Sequence, residues 1–491
     1  MIAAVVCTGC DRPPADEDID TDNHGTDFHV LPDDILTQVS AEIHPEVSTM
    51  LVVRWVQSRD TVSTRIRYTF ESDDWLASPK MPRSAGKHSE VLLGIPEKHP
   101  VTFYFETETA ADTATNPFDG GALDAGLDTP QRFTATTGEL PAKIPRPTVS
   151  VYDPASSDPA RWMLGSVEDT PSKSRYYVGP FWLYIIDRQG RIVWYYTDMG
   201  ANPCMAYPRV SREESHLYIE KRMFYARGSY RPRVARMTLD FNQFEEISIP
   251  GLDDCFDVTD NGGILFNEWS DSEAAWLRER RPDGTVRDIW SCGAWAESIG
   301  VTDHAHYCYA NTVNWHPKED TIILSMPYIN TAVEIDRQTG DLLSQWGNLP
   351  GSFEFQPPSW EFQFNHFPAI TEDGTLLVST HAPGHPDKMT VGEHRFVEYD
   401  IDRDEGRLVE KWSMTATPGE WPQFKGEATR LESGNTLVNF GTGGIIKEIT
   451  PSKDTVWHVK WDADFEDDTF NKMVGHSIML SDLYPLCRGW R

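Results

Sequence analysis

The sequence predicts an all-β protein, a six-bladed β-propeller preceded by a small β-sandwich. Three observations predict it. Short runs rich in β-branched and aromatic residues recur along the chain, each bounded by Asp, Gly, Asn or Pro, as consecutive antiparallel strands are. From Val149 onward these runs repeat with a period of about 40–50 residues, the spacing of propeller blades. Gly and Pro, 34 of each, supply the turns, while 17 Trp, 22 Phe and 17 Tyr supply aromatic surface to bury.

The first 34 residues stand apart. Met1–Gly9 is small and apolar and is followed by Cys10. Thr8-Gly9-Cys10 behind an apolar segment resembles the lipobox of bacterial lipoproteins, with Cys7 where Leu is usual and no basic segment in front. The resemblance implies lipidation at Cys10 and export to the periplasm or cell surface of a bacterium. The apolar run is shorter than a secretory core of roughly 7–15 residues plus flanks, so the expectation is a true start further upstream. Asp11 to Asp34 reads as an acidic, solvated tether. No stretch approaches the roughly 20 apolar residues of a membrane span, so membrane contact is expected only through the lipid.

Residues 35–141 read as the sandwich. Val39–Ile43, Met50–Gln57, Thr64–Phe70, Val91–Ile95, Val101–Glu108 and Arg132–Thr136 alternate as half-buried strands do. Met50–Trp55 followed by Thr64–Tyr68 resembles a fibronectin type III-like module with Trp55 as its core anchor. Ala110–Thr129 is a Gly/Ala/Asp-rich insertion, and Gly138–Pro141 with Pro145-Arg146-Pro147 marks a stiff linker.

Residues 149–485 read as the propeller. The blades are Trp162–Thr197, about Ala206–Ile249, Asp257–Trp290, Tyr309–Trp346, His366–Trp412, and a sixth from Ser433-Gly434-Asn435 through Trp457. The recurring pattern is an inner strand after a DG or GN turn, a middle strand ending in Ile-Asp or a close variant, and an outer strand ending in Trp. One such sheet cannot bury both faces, but a ring of them can. Ser477–Leu480 is expected to close the ring, and eight blades would need more residues than follow the linker.

The formal charge of −32 argues against nucleic acid or an anionic membrane surface as partner. Cys204, Cys255, Cys292, Cys308 and Cys487 form no CxxC pair and no zinc-ligand spacing. In an exported protein Cys292–Cys308 and Cys204–Cys255 fit as disulfides, and buried thiols that never pair fit the spacing nearly as well.

Inner strands of a propeller line a central funnel and gather groups far apart in sequence. Of 15 His, His304 and His306 lie near Tyr309 and Asn311 ahead of the fourth blade. His366 opens the fifth, with His381 and His385 on its loop. Lys425 and Glu427 belong to the sixth, His476 stands at the closure, and Tyr207 and Asp257 hold the matching places in the second and third blades. For most single histidines a core or solvated role is the commoner fate; His366 is the strongest candidate.

A family resemblance joins these residues. Asn311-Thr312-Val313, Asp320–Ser325, Val333–Asp336 and Thr339-Gly340 are similar to the bacterial arylsulfotransferase family. His366 with Asp373-Gly374, Arg395–Tyr399, Gly426-Glu427-Ala428, Gly434–Val438, Glu448–Pro451, Leu483-Tyr484-Pro485 and Thr137–Pro141 continue the match. The resemblance implies sulfuryl transfer from a phenolic sulfate to a phenol through a sulfurylated histidine, with no metal and no other cofactor. It implies His366, His306, Asn311, His381 and Arg395 as catalytic residues. Around them, His304, Tyr309, His385, Lys425, Glu427 and His476 would bind substrate. Imidazole is a nucleophile at neutral pH, and the transition state spreads negative charge that cations and N–H donors hold. The chain departs from the family at Tyr309, where a His is usual, and at Ser325–Tyr328, which lacks the family's Arg. Two other readings fit the same scaffold: a non-catalytic exported propeller that binds a ligand or protein, and a hydrolase or lyase.

Overall fold

The computed structural model describes residues 35–71, 74–108, 131–168, 181–198, 207–211, 213, 215–221, 232–268, 275–301, 307–357, 361, 363–381, 393–417, 420, 425–462 and 472–488. They form an all-β, propeller-like fold. Among them eight sheets are built, and six are meanders in which four neighbouring strands run antiparallel.

The first meander is Ile478–Leu480, Trp162–Glu168, Phe181–Asp187 and Ile192–Thr197, and the second Pro208–Val210, Leu217–Lys221, Arg233–Met237 and Phe244–Ser248. The third is Leu252–Val258, Ile264–Glu268, Trp276–Arg280 and Val286–Ser291, and the fourth Thr312–His316, Thr321–Met326, Thr331–Asp336 and Leu342–Gly347. The fifth is His366–Ile370, Leu376–His381, His394–Asp402 and Arg407–Thr415, and the sixth Glu427–Arg430, Thr436–Asn439, Ile445–Ile449 and Thr455–Lys460. The first-named strands of the second to sixth meanders pack side by side in turn, so one edge of every sheet faces a common axis.

Local chemistry explains the hairpins. In Thr371–Thr375 the Thr371 N–H donates to Thr375 O (2.8 Å) and Gly374, at φ +80°, supplies the left-handed step that closes the turn. Between third and fourth strands, Asp336 Oδ1 accepts from the N–H groups of Gln338 and Thr339 (2.8 and 2.7 Å). Gly340 ends that turn; a Cβ there would stand 2.1 Å from Ile289 O of the preceding meander.

The expected blade order needs a correction. The strand after each DG or GN turn is the second from the axis, as Leu376–His381 after Gly374 shows; the strand before the turn is innermost. The sixth meander accordingly starts at Glu427 rather than Ser433, and the third at Leu252 rather than Asp257. Innermost strands are short and carry polar residues toward the axis, so their β signal is weak.

Both ends of the repeat clasp it. Ile478–Leu480 pairs with Trp162–Leu164 on the axial side of the first meander, and Thr148–Tyr152 pairs with Thr455–Lys460 on the outer edge of the sixth. The second of these clasps was not foreseen in the sequence. Ahead of the meanders, a three-stranded sheet (Leu36–Ile43, Leu51–Gln57, Gly86–Leu92) packs on a five-stranded one around Thr61–Thr69 and Pro100–Glu108. Trp55, 2% exposed, meets Phe105 edge-on at 5.1 Å between them. Here the strand expected at Val91–Ile95 is Gly86–Leu92.

Neighbouring meanders are tied by repeated ion pairs to a buried Glu. Ile186-Asp187-Arg188, Ile335-Asp336-Arg337 and Ile401-Asp402-Arg403 each set an Arg after a third strand. Arg337 reaches Glu279 (2.8 Å), Arg403 reaches Glu334 (2.7 Å) and Arg188 reaches Glu448 (2.6 Å), each in the third strand of the preceding meander. Arg430 does the same for Glu398 from an innermost strand. Cys292 and Cys308 form a disulfide. Cys255 is buried with its thiol against Asn267 Oδ1 (3.1 Å), while its expected partner Cys204 lies outside the described residues.

Candidate functional site

Two tiers of side chains converge on the axis, set by the two-residue period of the strands that carry them. Tyr207 and Arg209 share one face of the second meander's start; Lys425 and Glu427 share one face of the sixth's.

The upper tier is His366, Tyr207 and Lys425, all buried. His366 Nδ1 lies 2.9 Å from Gly426 O. A carbonyl only accepts, so the ring hydrogen sits on Nδ1 and the lone pair is on Nε2. Nε2 faces the Tyr207 hydroxyl at 3.4 Å, the two rings being stacked 17° from parallel. Lys425 Nζ lies 4.1 Å from the centre of the Tyr207 ring, a cation held against a π face. Lys425 adopts φ +65°, an uncommon backbone for a long side chain.

Gly426 makes the close approach possible. A Cβ on it would meet Ser379 Oγ at 2.2 Å and His394 Nε2 at 2.6 Å. Ser379 and His394 hydrogen-bond to each other at 2.8 Å, and His381 meets the His394 ring edge-on at 4.9 Å. Complete burial, with help from His381 and His366, drives the pKa of His394 far below the usual imidazole value, so it stays neutral.

The lower tier is Glu427, His476 and Arg209. His476 Nδ1 donates to Glu427 Oε2 (2.7 Å), and Nε2 accepts from Arg209 Nη1 (3.0 Å), since a guanidinium can only donate. Glu427 Oε1 accepts the Ser477 N–H (2.7 Å) and the Asn439 amide (3.2 Å).

Of the residues singled out in the sequence, the structure brings together His366, Lys425, Glu427 and His476, with Tyr207 above Arg209. His381 stands behind His366, at the His394 ring. Asn311 flanks it, with Nδ2 donating to Asn365 O (3.0 Å). Asp257 accepts the Trp315 N–H (2.7 Å) and lies 3.6 Å from Arg209. Tyr309 packs on exposed Tyr328, ring centres 5.0 Å apart, and Phe364, also exposed, donates its N–H to Asn330 Oδ1 (2.9 Å). Arg395 stands elsewhere. It alternates with His394, which faces the sixth meander, so it emerges on the opposite face of the sheet, with Nη2 donating to Ser413 Oγ (3.3 Å) and Glu410 at 4.0 Å. His304, His306, His385 and Cys10 lie outside the described residues.

Sequence reasoning missed Arg209, Ser379 and His394. Arg209 was findable, because two residues past Tyr207 on a strand is the same face. His394 directly precedes the Arg395–Tyr399 motif and was passed over for it. Among the described residues no group of three His, Cys, Asp or Glu side chains is arranged to hold a metal ion.

No family model and no curated protein matches the chain. Among solved structures it is similar to a protein of unknown function from Bacteroides caccae, with 15% identity, a TM-score of 0.40, and 64% of this chain and 99% of that one covered. It is similar also to virginiamycin B lyase from Staphylococcus aureus, with 14% identity, a TM-score of 0.33, and 60% and 73% covered. A periplasmic gluconolactonase from Pseudomonas aeruginosa gives 12% identity, a TM-score of 0.35, and 66% and 96% covered. Likenesses this distant assign no activity to the chain.

Proposed function

We propose that the chain is a six-bladed propeller, preceded by a fibronectin type III-like module, that transfers a sulfuryl group from an aryl sulfate to a phenol through His366. The observation that carries the reading is the pinned imidazole: Nδ1 is held by Gly426 O, leaving Nε2 as the nucleophilic atom beside Tyr207 and Lys425. In this scheme the Nε2 lone pair attacks sulfur, the S–O bond to the aryl group breaks, and the departing phenolate takes a proton. The acceptor phenol then gives up a proton, attacks the N-sulfuryl group and frees Nε2. Lys425 offsets the negative charge on the sulfuryl oxygens, and Gly426 O holds the Nδ1 hydrogen while the ring carries positive charge. The paired rings of Tyr309 and Tyr328 suit a flat aryl substrate. Export as a lipoprotein anchored at Cys10 belongs to the same reading.

A non-catalytic binding propeller is the alternative, and one observation favours it: Arg395, the cation carried over from the family, is turned away from His366. A sulfuryl-transfer assay with a chromogenic aryl sulfate, with and without phenol, separates the two. Acceptor-dependent release that falls more than about a hundredfold in His366→Ala supports transfer. No turnover across a broad donor panel from folded protein moves the assignment to binding.

A further inference from the structure

One side chain closes the axis beneath His366 and touches the chain on both sides of it. Arg209 is buried at 5% exposure. Its guanidinium donates to Phe256 O (3.0 Å), His476 Nε2 (3.0 Å), Val313 O (3.3 Å) and Asn314 Oδ1 (3.1 Å). The second, third and fourth meanders and the closing segment therefore meet on one fork.

Two routes run from that fork to His366. In the first, the guanidinium lies 5.2 Å from the centre of the Phe367 ring, which in turn packs on His476 at 4.8 Å. Phe367 follows His366 directly and sits at φ +53°, a backbone state costly for a bulky residue and kept only where its surroundings impose it. In the second, Arg209 sets His476, His476 sets Glu427, and Glu427 is bonded to Gly426, whose carbonyl holds His366 Nδ1.

We propose that Arg209 is the positioning residue for His366, fixing its tautomer and aim through Phe367 on one side and through His476 and Glu427 on the other. This rests on the sulfuryl-transfer reading only for what His366 does, not for how it is held. A lysine keeps the charge but cannot supply a planar fork to four acceptors, so Arg209→Lys is the informative change. Arg188→Lys, at a buried Arg on the outer part of the ring, is the control for a purely structural effect.

The measurement is the ¹⁵N–¹H correlation spectrum of histidine rings in the full chain, with His366 assigned from a His366→Gln variant. The wild type is expected to show His366 as a single Nδ1–H tautomer. Arg209→Lys is expected to lose that signature and to change the rate at which diethyl pyrocarbonate modifies His366, while Arg188→Lys does neither. An unchanged His366 tautomer and reactivity in Arg209→Lys would overturn the proposal and leave Arg209 a plug of the axis. Should Arg209→Lys not fold, Phe367→Leu tests the first route and His476→Gln the second, and an unaltered His366 in both overturns the proposal equally. No step needs turnover, so an inactive wild type would defeat the sulfuryl-transfer reading and leave this result standing.

Discussion

Five seams of the ring are built in two ways. From the third meander round to the first, each seam carries an Arg to a buried Glu of the meander before it. Among the described residues the seam between the first and second meanders has no such Arg–Glu pair; its ion pair is Lys221 with Asp198 (2.5 Å). Ile185 stands where the third, fourth, fifth and sixth meanders have Glu279, Glu334, Glu398 and Glu448, and the packing around it is apolar. Trp194 stacks on Phe241 at 6.0 Å and donates its Nε1–H to Leu239 O (2.9 Å). That seam shares one apolar cluster with the N-terminal sheets, which cover the first meander's outer strand through Thr49 Oγ1 on Val193 O (2.8 Å). The difference teaches what the ion pairs are for. A buried pair loses in desolvation much of what it gains in attraction, so its use is to fix which sheet meets which, and at what register. Where a second layer of apolar surface arrives, burial does the work and the pair is dispensable.

The comparison breaks if the two kinds of seam respond alike. The largest effect is expected at Glu448, which is fully buried and takes Arg188, Asn435 and the Asp158 N–H together. Glu448→Ala strands Arg188 without its partner and should cost about 3–5 kcal/mol in urea unfolding. The double change Arg188→Met with Glu448→Leu should recover most of that; no recovery would mean the pair is a true source of stability. Leu183→Ala at the apolar seam should cost about 2–5 kcal/mol, set by the cavity it leaves.

A sharper contrast comes from pH. His394 lies where the fifth and sixth meanders meet and resists protonation because it is fully buried. Above about pH 6.5, the free imidazole value, both folded and unfolded chains hold a neutral ring and no dependence arises. Below it the unfolded chain takes up a proton that the folded ring refuses. Stability therefore falls by at most about 1.4 kcal/mol per pH unit until the folded value is reached. His394→Gln should reduce the slope of unfolding midpoints from pH 7 to 5, the remainder coming from His44, His216, His316 and His458, whose values burial also lowers. The smallest effect is expected at Arg161, half-exposed and paired with Asp74 of the N-terminal sheets. Arg161→Ala should change stability by no more than about 1 kcal/mol, and less as salt rises.

Much of this was legible in the chain. In the first, fourth and fifth meanders the Ile-Asp pair and the outer Trp mark the third and fourth strands, because buried third strands and aromatic ends leave a periodic trace. Innermost strands did not, since residues such as His366, Glu427 and Arg209 are chosen for what they meet across the axis rather than for strand propensity. For the same reason His366 was found as an isolated histidine while Arg209, its neighbour only in three dimensions, was not. Arg395 was not separable from its neighbours in the sequence because motif matching does not say which face of a strand a residue takes; one position of alternation sets it on the face opposite His394.

The paired clasps bear on how the chain is made. Thr148–Tyr152 and Ile478–Leu480 secure the ring from opposite ends, and Tyr484 then meets Tyr68 across 416 positions of chain, its hydroxyl lying between the Tyr68 hydroxyl (3.2 Å) and Val91 O (3.0 Å). Contacts this remote in sequence form late and slowly. During synthesis the five inner meanders can collapse one after another, but the first remains without its axial strand until the segment around Ile478 has left the ribosome. A nascent chain interrupted before that point holds an open arc with an unpaired edge at Trp162–Leu164, a template for strands of other chains. Completion of the last strand, rather than growth of the core, is thus the moment at which this protein stops being an aggregation hazard.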